Sequence, residues 1–148
     1  MNGKRAAVTV LSLIALLSCA APAADEARLL VLRGDGVRVW FDIELAVSAD
    51  ARRRGLMQRD ELHHQSGMWF DFGRATAVAM WMKDTLIPLD MAFVAANGEI
   101  VAIRANTEPL SETLIPAPQP VRYVLETNAG RLAELAITSG DRVMLPAR

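Results

Sequence analysis

Six methionines, Met57, Met68, Met80, Met82, Met91 and Met144, follow the first 24 residues. Thioether sulfur is a soft ligand that suits Cu(I), so a Met-based Cu(I) carrier is one chemistry open to this chain. The spacing favours a plainer role. Met80 and Met82 fall on one face with Val78, and Met68 on one face with Phe70 and Phe72, where methionine serves to fill core gaps. The two histidines, His63 and His64, are adjacent, and no cysteine or second histidine cluster completes a zinc site. They read as a surface loop. Carboxylates can be paired on paper, Asp84 with Asp90 or Glu126 with Asp141. An enzyme acting on a carbohydrate or related polymer would need two carboxyls about 5 to 9 Å apart across a cleft, a distance that a sequence does not show. Gly-x-Ser-x-Gly is absent, as is any cysteine beyond the leader, so a nucleophilic hydrolase is poorly supported. No residue is assigned a catalytic role, and no cofactor or metal is expected.

Tryptophan placement suggests a surface instead. Strand phase sets Trp40 opposite Val39 and Phe41, Trp69 opposite Met68 and Phe70, and Trp81 opposite Met80 and Met82. All three are expected to point away from the core stripe, accompanied by Arg38, Asp42, Asp71 and Lys83. Exposed aromatics with charged neighbours mark binding sites, here for a glycan or an envelope protein. The competing expectation is that a helix or the proline-rich loop covers them and makes a second small core.

The elements that must position these residues are short. Val37 to Ala46 alternates apolar and polar residues, as a half-buried strand does, and Leu29 to Leu32 pairs with it through Gly34-Asp35-Gly36. Ser48 is an N-cap for a helix from Ala49 to about Arg54, which Gly55 ends. Met68 to Phe72 and Ala77 to Thr85 alternate again. Asn97-Gly98 predicts a type I′ turn between Leu89–Ala96 and Glu99–Ala105, with Val94 facing Val101 and Phe93 facing Ala102. Asn106 to Pro120 holds Pro109, Pro116, Pro118 and Pro120 and reads as an ordered surface loop docked through Leu110, Leu114 and Ile115. Val121 to Thr127 is a further strand. Asn128 then caps a helix from Ala129 to Ala136 with Leu132, Leu135 and Ala136 buried, and Arg142 to Leu145 is the last strand. Seven or eight short strands, mostly with one wet face, predict a mainly β, antiparallel sandwich, jelly-roll-like or barrel-like domain with two short helices.

Residues 1–24 differ in kind. Lys4 and Arg5 precede an apolar run from Ala6 to Leu17, then small residues, the order of a secretory signal and too short for a stable span. Ala21-Pro22-Ala23 fits ordinary cleavage. Leu16-Leu17-Ser18-Cys19 resembles a bacterial lipobox, although Leu17 is larger than the residue usual there. Cys19 is the sole cysteine and stands where a lipobox needs it, so lipidation at Cys19 is the preferred reading, with a membrane as partner through the anchor. Residues 25–148 are then one exported domain on the periplasmic side, with no disulfide to staple it. Without Lys4 and Arg5, 14 basic residues stand against 17 acidic, a net charge of about −3 that argues against nucleic acid as a partner.

Several blocks carry a family resemblance. They are Arg53-Arg54-Gly55-Leu56-Met57-Gln58-Arg59, Gly67-Met68-Trp69-Phe70, the run from Trp81 to Phe93, Asn97-Gly98-Glu99-Ile100, Val124 to Gly130, and Gly140-Asp141. Together they resemble domain-of-unknown-function family 192 over roughly residues 30 to 146. Asp84 stands where that family usually has Asn, and Met80 where an aromatic is common. The resemblance implies a β-sandwich, jelly-roll-like fold and brings no activity. Polarity within the blocks adds Arg59, Asp84, Glu126 and Asn128 to Trp40, Trp69, Trp81 and Lys83 as candidate binding residues. The alternative for Arg59, Glu126 and Asn128 is a structural ion pair and a helix cap. The resulting expectation is a cell-envelope binding or interaction protein, with the carbohydrate-directed enzyme and the Cu(I) carrier as alternatives.

Overall fold

A computed structural model describes residues 27–144. The leader segment and Cys19 lie outside the described residues. In chain order the elements are β1 (Ala27–Leu32), β2 (Arg38–Ala46), α1 (Ala49–Arg54), β3 (Ser66–Thr76), β4 (Ala79–Met80), β5 (Leu89–Val94), β6 (Ile100–Arg104), β7 (Ile115–Pro116), β8 (Val121–Asn128), α2 (Arg131–Glu134) and β9 (Arg142–Met144). The fold is mainly β with two short helices, as the alternating patterns predict.

Seven strands form one sheet in the order β6-β5-β8-β3-β2-β1-β9, while β4 and β7 make a separate two-stranded ribbon. All pairs are antiparallel except β2 with β3, whose ends α1 connects. The sheet curls into a half-barrel, and its two edges touch where Glu99 bridges Arg142. There Val143 N–H donates to the Gly98 carbonyl at 2.7 Å and Ile100 N–H to the Asp141 carbonyl at 2.9 Å. Gly98 is obligatory at this seam. A Cβ on it would stand 2.4 Å from the Val143 carbonyl oxygen, and its φ of +87° is a left-handed value. The hairpin turn therefore differs from the type I′ expectation. Gly98 N–H closes on the Ala95 carbonyl, Gly98 rather than Asn97 takes the positive φ, and a bulge pairs Val94 with Ile100 while Phe93 still faces Ala102.

Two cores share β3, β5 and β8 as a common wall. Inside the curl pack Leu29, Val31, Phe41, Ile43, Trp69, Val94, Ile100, Tyr123, Leu125 and Val143. On the outer face of the wall pack Met68, Phe70, Val78, Met80, Met82, Leu89, Met91, Phe93, Val121 and Val124. A second layer made of the chain around β4 and β7 closes over them. That layer is why β5 is buried at every position, an exception to the one wet face expected of most strands. Segment 78–82 keeps its predicted alternation, with Val78, Met80 and Met82 buried and Ala79 and Trp81 not. Its backbone bonds to the proline-rich loop rather than to the main sheet. Of the loop's three expected anchors only Ile115 docks, for Leu110 and Leu114 are exposed.

Candidate functional site

A cavity of about 220 Å³ opens between α1 and the outer face of the shared wall. Local sequence builds its sides. Ser48 accepts a hydrogen bond from Ala51 N–H at 3.1 Å, and the Gly55 N–H returns to the Ala51 carbonyl, so α1 spans the six residues predicted. Gly55 takes φ +47°, and a Cβ there would press to 3.3 Å from the Phe70 ring. Opposite, Met82 N–H donates to Ser111, Leu110 N–H to Thr85 and Gln58 N–H to Asp84, tying the second layer to itself and to the turn after α1.

The floor is Glu126. It is 4% exposed and stands on β8 between Met68 of β3 and Met91 of β5, its register partners. Among the described residues its carboxyl makes no hydrogen bond or ion pair. Burial alone pushes its pKa up to about 8, so the group is neutral at pH 7. Phe70, Phe72, Leu56, Met57 and Met80 supply apolar walls, and Trp81 stands at the rim. Trp81 is 38% exposed, with the Lys83 ammonium 5.5 Å from its ring centre; Lys83 also meets Glu112 at 3.8 Å.

Three consecutive arginines of α1 line the mouth. Arg52 donates to the carbonyls of Val47 and Asp71 and lies over the Phe72 ring. Arg53 pairs with Asp50 at 2.9 Å, both well exposed. Arg54 has no partner among the described residues. The sequence does not mark these arginines or Thr85 as site residues, and it presents Met57 only as a thioether and Phe72 only as a core residue. The available signal was the Arg-Arg-Arg run closing a short helix, which alone reads as favourable charge at a helix C-terminus.

The candidates from sequence divide between the cavity and elsewhere. Trp81 and Glu126 come together. Trp69 does not join them. It is 2% exposed and stacks on Tyr123 at 4.8 Å inside the curl, because β3 is a central strand with both faces covered. Trp40 lies on β2, 43% exposed, with the Arg28 guanidinium 5.1 Å from its ring. No common tryptophan face forms. Arg59 makes a two-pronged ion pair with Glu44, which holds the Glu44 carboxyl below its usual range and raises Arg59. Asn128 does not cap a helix. Its amide donates to the Leu62 carbonyl at 2.8 Å and to that of His63. The predicted second helix is shorter, Arg131–Glu134, and Ala136 is exposed in a left-handed conformation.

Asp90 takes over the capping. Fully buried, it accepts from the N–H groups of Asn106, Gly130 and Leu132 at 3.0 to 3.1 Å. Asp141 likewise holds the N–H groups of Gly34 and Thr138. Asp84 is exposed with φ +53°, a backbone that Asn and Asp tolerate best, which gives a conformational reason for an Asn or Asp at this position. Of the carboxylates paired on paper, only Glu126 lines the cavity. Met68, Met82 and Met91 are packed in the second core, Met57 and Met80 reach the cavity wall, and Met144 is exposed. His63 is exposed, and His64 faces Glu134 at 3.3 Å. No group of three or more His, Cys, Asp or Glu side chains able to hold a metal occurs among the described residues.

Comparison with known proteins follows the same outline. The family model DUF192, described as "Uncharacterized ACR", matches residues 30–145. A crystal structure of a candidate transcription regulator from Sinorhizobium meliloti 1021 is 42% identical with a TM-score of 0.78, covering 80% of this chain and 94% of that one. A protein of unknown function from Novosphingobium aromaticivorans DSM 12444 is 37% identical with a TM-score of 0.79, covering 86% and 94%. No curated protein matches.

Proposed function

Since the chain belongs to the DUF192 family, which carries a fold and no assigned activity, we propose that it is an exported binding protein of the cell envelope. On this reading Cys19 anchors it to the membrane and the cavity above Glu126 seats a small ligand. The observation that carries the site is Glu126 itself, a buried carboxyl with no partner among the described residues, lining a cavity rimmed by Trp81. Proteins seldom leave such a group unsatisfied without a use for it. At about 220 Å³ the cavity lies below the usual 300 to 1,000 Å³ of drug-sized sites, so the ligand is on the order of one ring.

Binding fits this cavity better than cleavage. A glycoside-cleaving enzyme needs a second carboxyl facing Glu126, and among the described residues no other carboxylate lines the cavity. The regulator description of the Sinorhizobium relative would bring DNA, but a chain with 14 basic and 17 acidic residues after its leader offers no phosphate-neutralising excess.

A thermal-shift screen against monosaccharides, cell-wall glycan fragments, single-ring acids and Cu(I) under reducing conditions tests the reading. A ligand at a hundred times its dissociation constant adds about 2.7 kcal/mol to stability. That shift should vanish in both Trp81→Ala and Glu126→Met, each still folding cooperatively. A shift that survives both changes would place the site elsewhere, and a response to Cu(I) alone would favour the metal carrier.

A further inference from the structure

The charges around the cavity specify what it holds, granted that it is the binding site. Arg52 is committed to two carbonyls and Arg53 to Asp50, but among the described residues nothing acidic answers Arg54. Among the described residues Glu126 is the one carboxyl in the lining, and Arg52, Arg53 and Arg54 all contribute to the same lining. A cationic ligand would enter against that field. An anion would be drawn by it, with Arg54 free to offer a two-pronged hydrogen bond. Between mouth and floor the walls are flat and apolar, with Phe70, Phe72 and Trp81 flanking the thioethers of Met57 and Met80. We propose that the ligand is a small organic monoanion with one flat apolar ring, its charged group held by Arg54 and its body beneath Trp81, with the Glu126 O–H donating a hydrogen bond to it from below.

The floor also sets a pH limit. Burial keeps Glu126 protonated to about pH 8. The charged groups around it are Arg52, Arg53 and Arg54 of α1, Lys83 and Asp84 beyond Trp81, and, one strand further out in its own row, Arg104 beyond Met91 and Glu44 beyond Met68, the latter neutralised by Arg59. The facing residues of β3 and β5, which are Met68, Phe70, Phe72 and Met91, do not titrate. Once Glu126 ionises it loses its donor and repels an anion, so affinity should fall toward tenfold per pH unit above about 8.

Three probes matched in shape separate the possibilities: phenylacetate, phenylacetamide and phenethylamine, titrated calorimetrically into the purified protein. Phenylacetate should bind at least about tenfold more tightly than the amide, and the amine weakest, because a hydrogen bond to a charged group is worth that factor or more. Arg54→Ala, a change at an exposed side chain, should erase the preference for the acid over the amide. Glu126→Gln should bring the ratio of phenylacetate affinities near pH 6 and near pH 9 to about one. Equal binding of acid and amide, lost in Trp81→Ala, would overturn the anion while leaving the cavity as the site. Failure of all three probes to bind would overturn both.

Discussion

The two cores lie back to back on the same three strands and are filled by different chemistry. Inside the curl, the buried residues are aliphatic or aromatic and include no methionine, with Trp69 stacked on Tyr123. On the outer face Met68, Met80, Met82 and Met91 stand among the phenylalanines. Val and Ile are stiff at χ1, whereas Met has three soft torsions and a polarizable sulfur. The cavity opens from the methionine-bearing core, with Phe70 and Met80 in its lining. The thioethers around Glu126 can therefore change rotamer more readily than the stiff side chains behind the same wall.

The sharpest break of this comparison is Phe41→Ala in the inner core. Phe41 is fully buried, and its loss should cost about 3 to 5 kcal/mol in urea unfolding. A cost near that of a methionine change would abolish the distinction between the cores. Next comes the dependence of stability on pH above 4.5 that the outer core contributes through Glu126. Glu126 has a folded pKa near 8 against 4.5 when exposed. Between those values the folded chain keeps a proton that the unfolded chain releases, so stability declines as pH rises and levels off above about 8. The decline should amount to a few kcal/mol and be absent in Glu126→Gln. A wild-type curve no steeper than that of Glu126→Gln would mean that Glu126 is not desolvated. The smallest effect is expected for Met91→Leu, under about 1.5 kcal/mol, whereas Val31→Met in the inner core should cost about 1 to 3 kcal/mol by overpacking. Equal costs for the two would show that the outer core is no more adaptable than the inner.

Local periodicity carried much of this fold. β2, α1 and the β5–β6 hairpin are legible because each declares its own period, cap or turn within a dozen residues. The alternation at Val78, Met80 and Met82 reports burial correctly even where the chain joins a ribbon rather than the main sheet. Trp69 was misplaced because alternation says that two faces differ, not that either is wet. Both faces of β3 are covered by chain far away in sequence. The site was half legible. Trp81 and Glu126 were named on aromaticity and polarity, but the solitude of Glu126 depends on Met68 and Met91, which arrive from two other strands. Asp90 and Arg59, equally polar, turn out to be joints of the framework. Only the three-dimensional neighbourhood separates a carboxyl with three N–H partners from one with none.

The position of β8 governs how the chain can be made. β3 and β5 do not touch as partners; each pairs with β8, which is inserted between them. Until β8 is available, the sheet can form only as two unjoined fragments, β1-β2-β3 and β5-β6. Each exposes the edge that β8 will fill. Neither core can close before then, since both use β8 as a wall. The strand that joins the two fragments also delivers Glu126 to its place.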